Sequence, residues 1–298
     1  MSESAHCSPW ATEGTAVLYA EVEGQGPRLV LVHGFTQTSH SWGEVAASLA
    51  IEHEVVRVDA PGHGRSGPAR PMPAAAEQVA EAGGTAVYLG YSMGARLCLH
   101  LALAEPQLVS ALVLVGGTAG IADPDERQRR QVADQALADH LERVGLEAFL
   151  YQWLANPMFA GLDPTAAGLP ARLENTTQGL AASLRLAGTG AQESLWERLP
   201  ELAMPVLVVA GECDAKVPVS RAMADAIGDN AVLAIISRAG HAAHLEDPTG
   251  FVGAVRPFLH GGPAPDAEPT ECLMSPITRR PGPRQSPTGA GRYPPAPR

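Results

Sequence analysis

The chain has 298 residues, 45% hydrophobic and 18% charged, a mixture that buries a sizeable core without staples and excludes disordered and fibrous classes. Lys+Arg number 21 against 32 Asp+Glu, a formal net charge of -11, which argues against nucleic-acid or anionic-membrane partners because both reward a basic surface. Lys216 is the only lysine and the other twenty basic residues are arginines, a skew of the kind a GC-rich genome leaves.

Residues 1–10 carry neither a basic segment nor an apolar core, so no signal peptide is expected. The longest apolar runs, such as 111–115, are strand-length and far short of a membrane span. Cys7, Cys98, Cys213 and Cys272 lie far apart without a C-x-x-C pair, as expected of reduced thiols in a cytoplasmic protein.

In chain order, residues 16–23 alternate and end in Gly24-Gln25-Gly26-Pro27, which suggests an antiparallel edge hairpin partner. Nearly continuous apolar runs follow at 28–33, 54–59, 85–90, 111–115, 205–210 and 231–236. Runs of that kind fit parallel strands buried on both faces, and their alternation with helical patterns predicts an α/β fold with a mostly parallel central sheet flanked by helices. The spacing breaks once, with helical patterns at 123–143, 146–154 and 179–186 between two strands, so an inserted helical cap is expected over about 118–200. Asp123-Pro124-Asp125-Glu126 opens it with a capping-box-like pattern. The folded domain is expected over 11–260. Residues 261–298 hold ten prolines and five glycines and are expected to be disordered. That tail carries five Arg against three acids, which leaves the rest of the chain at -13 by the same count.

Gly90-Tyr91-Ser92-Met93-Gly94 lies between a predicted strand and a predicted helix, the context in which G-x-S-x-G forms a sharp turn exposing a nucleophile. A serine hydroxyl needs a histidine to take its proton and a carboxylate to orient that histidine. Asp214, after the 205–210 strand, is the natural acid, with Glu212 as rival; His241, after the last strand, is the natural base. His244 competes, and His241 and His244 with Glu246 hint at a metal site, but without a third ligand at metal spacing none is expected. Backbone N–H groups of Phe35 and Met93 are the expected oxyanion hole.

These residues resemble the α/β-hydrolase fold family over 17–259. The matching blocks are His33-Gly34-Phe35, Asp59-Ala60-Pro61-Gly62-His63-Gly64-Arg65-Ser66, the turn at Ser92, Asp214 and Gly240-His241. Fold alone does not choose a reaction within that family. Further segments look like one branch, the 2-succinyl-6-hydroxy-2,4-cyclohexadiene-1-carboxylate synthases of menaquinone biosynthesis. They are Ser92-Met93-Gly94-Ala95-Arg96, the cap start from Gly120 through Arg130 with Asp134, Trp153 to Phe159, Arg172 before Leu180-Ala181-Ala182-Ser183-Leu184, and Arg238 to His244. Ala95 stands where that branch usually has glycine, Gly117-Thr118-Ala119-Gly120 lacks its Ser-Pro-Gly, and 68–84 matches poorly, which suggests one reduced helix.

The resemblance implies Ser92, Asp214 and His241 as the triad, and Tyr91, Arg96, Arg130, Trp153 and Arg172 as the pocket lining. It implies a small anionic polycarboxylate substrate, expulsion of pyruvate and no cofactor. An acidic body repels such an anion unless local positive charge dominates the mouth, and three placed arginines would supply it. Arg96 lies about one helical turn beyond Ser92. Arg127 and Arg129 are assigned to the solvated face. The alternatives are a serine hydrolase of the same fold acting on an ester or C–C bond, and a non-catalytic ligand-binding relative. Oligomeric state is not legible.

Overall fold

The computed structural model describes residues 18–261. The predicted tail beyond Gly261, Cys7 and Cys272 therefore lie outside the described residues.

Seven strands form one sheet: β1 (Ala20–Glu23), β2 (Arg28–Val32), β3 (Glu54–Val58), β4 (Ala86–Tyr91), β5 (Val109–Val115), β6 (Val206–Gly211) and β7 (Ala231–Ile236). Their order is β1-β3-β2-β4-β5-β6-β7. Every neighbour pair from β3 to β7 is parallel, and only the edge strand β1 runs antiparallel. The expected hairpin does not form: β1 pairs with β3 in the register Ala20↔Val58 rather than with β2, which follows it in the chain. Gly24 and Gly26, both at positive φ, lead the chain beneath the Ala50–His53 backbone and past β3 into the interior position of β2.

Helices cover both faces, as a parallel sheet of Val, Leu and Ala requires to stay dry. On one side lie α1 (Gly43–Leu49) and, from the far end of the chain, α10 (Pro248–Leu259). They pack Val45, Leu49, Phe251 and Val255 against Leu29, Leu89 and Val113. On the other lie α2 (Met72–Gly83), α3 (Met93–Ala104) and α8 (Val217–Ile227), whose Val79, Leu97, Leu101 and Met223 meet Val30, Tyr88 and Val208. The reduced helix expected over 68–84 is instead a twelve-residue helix, α2. Buried Ala75, Ala76 and Ala80 let it lie close against the core, so its apolar content is small in volume but complete. Cys98 is buried on α3, and neither Cys98 nor Cys213 is in a disulfide.

Between β5 and β6 the chain leaves the sheet to form α4 (Pro124–Val144), α5 (Leu146–Leu154), the single turn α6 (Leu169–Arg172) and α7 (Thr177–Ala187). Asp123 caps α4 by accepting the Glu126 N–H at 2.8 Å, with Pro124 at the first position. This segment has its own small core of Ala138, Leu141, Phe149, Leu180, Ala181 and Leu184, reached from below by Phe35. A last short helix, α9 (Ala243–Glu246), follows β7. No helix among the described residues is long and apolar enough to cross a membrane.

Candidate active site

The carboxyl ends of β2, β4, β6 and β7 point to one edge of the sheet, the side on which parallel α/β sheets present their functional loops. Ser92 sits between β4 and α3 with φ 52° and ψ -102°, a strained conformation for a residue with a side chain. The flanking glycines make the turn possible. A Cβ at Gly94 would lie 2.0 Å from the Val32 carbonyl oxygen, and one at Gly90 would lie 2.3 Å from the Gly94 carbonyl oxygen. The Ser92 N–H donates to Val115 O at 2.8 Å and ties the turn to β5.

His241 Nδ1 is 2.8 Å from Asp214 Oδ2, and its Nε2 is 3.2 Å from Ser92 Oγ. A carboxylate only accepts, so Nδ1 carries the proton and Nε2 is left to accept from the serine hydroxyl. Burial lowers the His241 pKa, only partly offset by the Asp214 bond, so the imidazole is held neutral and ready to take a proton. Burial works against ionisation of Asp214, yet the His241 bond and the Lys216 N–H, donated at 3.0 Å, together hold its carboxyl below the usual range. Glu212, the rival acid, is turned away and accepts the Arg238 N–H at 2.8 Å.

His244 is fully buried, 4.7 Å by ring centroids from Trp42 and 4.3 Å from Tyr91, and burial drives its pKa to about 3. Glu246 accepts the Gly240 and Ala242 N–H groups and so braces the His241 loop. Among the described residues, no group of three His, Cys, Asp or Glu side chains converges at metal spacing.

The loop after β2 supplies Phe35. His33 Nε2 accepts the Ala60 N–H at 2.9 Å, and the Gly34 N–H donates to Gln37 Oε1 at 2.9 Å. No hydrogen bond of the described residues uses the Phe35 N–H. Met93, at the first position of α3, has one of the orphan N–H groups of a helix start. Thr36 adopts φ 69°, unusual for a β-branched residue, and is held there from the cap: Arg172 donates to its hydroxyl and Asn175 Nδ2 donates to its carbonyl at 2.9 Å.

A cavity of about 410 Å³ opens over Ser92 and His241. Of the residues expected to line it, Tyr91, Arg96, Arg130 and Trp153 do, as do Phe35 and Met93. Arg172 does not. It is 1% exposed, donates from Nε to Ala167 O at 2.7 Å and from Nη1 to Thr36, and lies behind the wall. Four residues separate it from α7, and the turn of α6 aims it down at the β2 loop rather than across the cavity. Arg96 is buried and donates to Gln192 Oε1 at 3.1 Å; burial and the neighbouring Arg130 bring its pKa to about 10. Arg130 Nε pairs with Asp134 Oδ1 at 2.7 Å across one turn of α4, and Asp134 also accepts the Gly190 N–H. Arg127 and Arg129 are not on the wall. Lys216 is, and sequence reasoning missed it: its one signal is that the only lysine of the chain stands two residues after the acid. The rest of the wall is largely apolar, including Leu137, Met158, Phe159 and Leu184.

Comparison with known proteins identifies the fold. A family model described as "Alpha/beta hydrolase family" matches residues 29–254. A relative from Bacillus subtilis is 35% identical over 267 residues, covering 83% of this chain and 97% of its own, and its name assigns it only provisionally as a 2-succinyl-6-hydroxy-2,4-cyclohexadiene-1-carboxylate synthase. A protein of that name from Serratia proteamaculans is 31% identical, covering 80% of this chain and 94% of its own. Among solved structures, MenH from S. aureus superposes with a TM-score of 0.76 at 27% identity, over 83% of this chain and 99% of that one. A malate-bound esterase from Thermogutta terrifontis gives 0.71 at 25% identity, over 82% and 93%. With its parallel sheet, its serine turn and its matches over most of the chain, the protein belongs to the α/β-hydrolase family.

Proposed function

We propose that this chain is a lyase that eliminates pyruvate from 2-succinyl-5-enolpyruvyl-6-hydroxy-3-cyclohexene-1-carboxylate to give 2-succinyl-6-hydroxy-2,4-cyclohexadiene-1-carboxylate, a step of menaquinone biosynthesis. The observation that carries it is the placement of Arg96 and Arg130 in the same largely apolar cavity as Ser92 and His241. A carbocyclic ring bearing several carboxylates fits such a lining, and the names of the sequence relatives point to the same substrate class.

His241, oriented by Asp214, takes the Ser92 proton, and the serine oxyanion removes a ring proton. The electron pair of that C2–H bond forms C2=C3, the existing C3=C4 pair shifts to C4=C5, and the C5–O bond to the enolpyruvyl group breaks. Pyruvate leaves as its enolate and takes a proton back from His241. Phe35 and Met93 N–H groups stabilise the developing negative charge. Tyr91, whose phenol burial keeps un-ionised, and Trp153 position the ring. Arg130 is half-exposed and can turn to the ligand, while Asp134, buried on the same wall, keeps the Gly190 N–H as a partner.

A second reading, a serine hydrolase attacking an ester through an acyl-enzyme, draws on the likeness to the malate-bound esterase. A substrate panel separates the two. The lyase reading expects efficient pyruvate release from the enolpyruvyl precursor and poor turnover of a neutral aryl ester; the reverse result overturns it.

A further inference from the structure

We propose that the Lys216 side chain is a third anion anchor in the cavity, its ammonium taking one carboxylate of the substrate. The inference rests on the polycarboxylate reading above and extends it to a residue that the arginine pattern does not include.

Lys216 follows the β6 turn and caps α8. Its backbone N–H is committed to Asp214 Oδ1, which fixes its Cα two residues from the triad acid while its side chain lines the cavity. The three cations on the wall differ in what they already hold. Arg130 is paired with Asp134, and Arg96 with the Gln192 amide. For the Lys216 ammonium, no ion pair and no side-chain hydrogen bond occurs among the described residues, and Asp214 Oδ2 is engaged by His241. A partly buried charge without a partner is costly, and an incoming carboxylate lowers that cost. Burial lowers its pKa to about 8; Arg96 and Arg130 push the same way and Asp214 opposes them. Binding a carboxylate beside it favours the ammonium, so anion affinity should fall as pH rises through about 8.

The test uses full-length wild type, Lys216→Met and Lys216→Arg. In pyruvate release from the enolpyruvyl precursor, Lys216→Met is expected to raise KM about 10–100-fold, the effect of losing one charge-assisted bond, with kcat moving far less. Lys216→Arg should recover most of the loss. An unchanged KM, or a loss confined to kcat, overturns the proposal. Labelling of Ser92 by a neutral fluorophosphonate reports whether each variant is folded. A readout that needs no variant uses the single lysine: side-chain N-acetylation by acetic anhydride, read by peptide mass mapping, can occur only at Lys216. Succinate should slow that acetylation, more strongly at pH 7 than at pH 9, and no protection at either pH overturns the anchor. If wild type releases no pyruvate but succinate still protects Lys216, the anchor stands and the lyase reading falls.

Discussion

At the carboxyl edge of the sheet, Ser92, Asp214 and His241 are placed by backbone: a left-handed turn, a strand end and a braced loop. In the helical segment above, Arg130, Trp153 and Arg172 are placed by side-chain packing and by which polar partner each finds. The edge tolerates no displacement because a neighbouring carbonyl lies 2.0 Å from where any Cβ at Gly94 would be. The cap has slack, and its three residues end in three situations: paired at the mouth, packed in the wall, and buried behind it. On the proposed reading, the edge carries the chemistry and the cap selects what reaches it.

The predictions probe that division. Ser92→Ala should lower kcat by about 10⁴-fold or more while leaving product binding, measured by calorimetry, nearly intact. Arg96→Met should raise KM for the polycarboxylate about 10–100-fold, since a buried, charge-assisted bond is lost. Arg172→Met should instead lower kcat about tenfold with little change in KM, because it unpairs Thr36 beside the Phe35 N–H. If Arg172→Met raises KM as Arg96→Met does, the cap contacts substrate there and the division fails. In the pH profile of kcat/KM, rate is lost as pH falls through the His241 pKa, and burial places that acid limb below the usual histidine value of 6.5. The smallest effect concerns stability. His244 titrates at about 3 when folded and at 6.5 when unfolded, so the unfolded chain binds more protons between those values. The stability present above 6.5 is lost as pH falls through that window, and His244→Phe should flatten the dependence, measured as urea midpoints at pH 7 and pH 5.

What was legible follows the same line. The strand runs at 28–33 and 205–210 announce themselves because both faces are buried, and the serine turn needs glycines that a sequence displays directly. Asp214 could be separated from Glu212 only by knowing that His241 lies past the turn rather than at the strand end. The pairing of β1 with β3 was not legible, since local alternation says a strand exists and nothing about its neighbour. The α2 helix was hidden by its alanines, which carry little hydrophobic signal yet pack fully. Arg172 was misplaced because spacing cannot show that a threonine hydroxyl outside the cap claims it. Lys216 was not legible as a wall residue, because a lysine two residues after a carboxylate reads equally as a solvated loop residue.

The most direct test is pyruvate and cyclohexadiene product measured together from the enolpyruvyl precursor, wild type beside Ser92→Ala. Equal amounts of the two products from wild type, and almost none from Ser92→Ala, are the predicted result. A fully active Ser92→Ala protein, or wild type that releases no pyruvate, would contradict it.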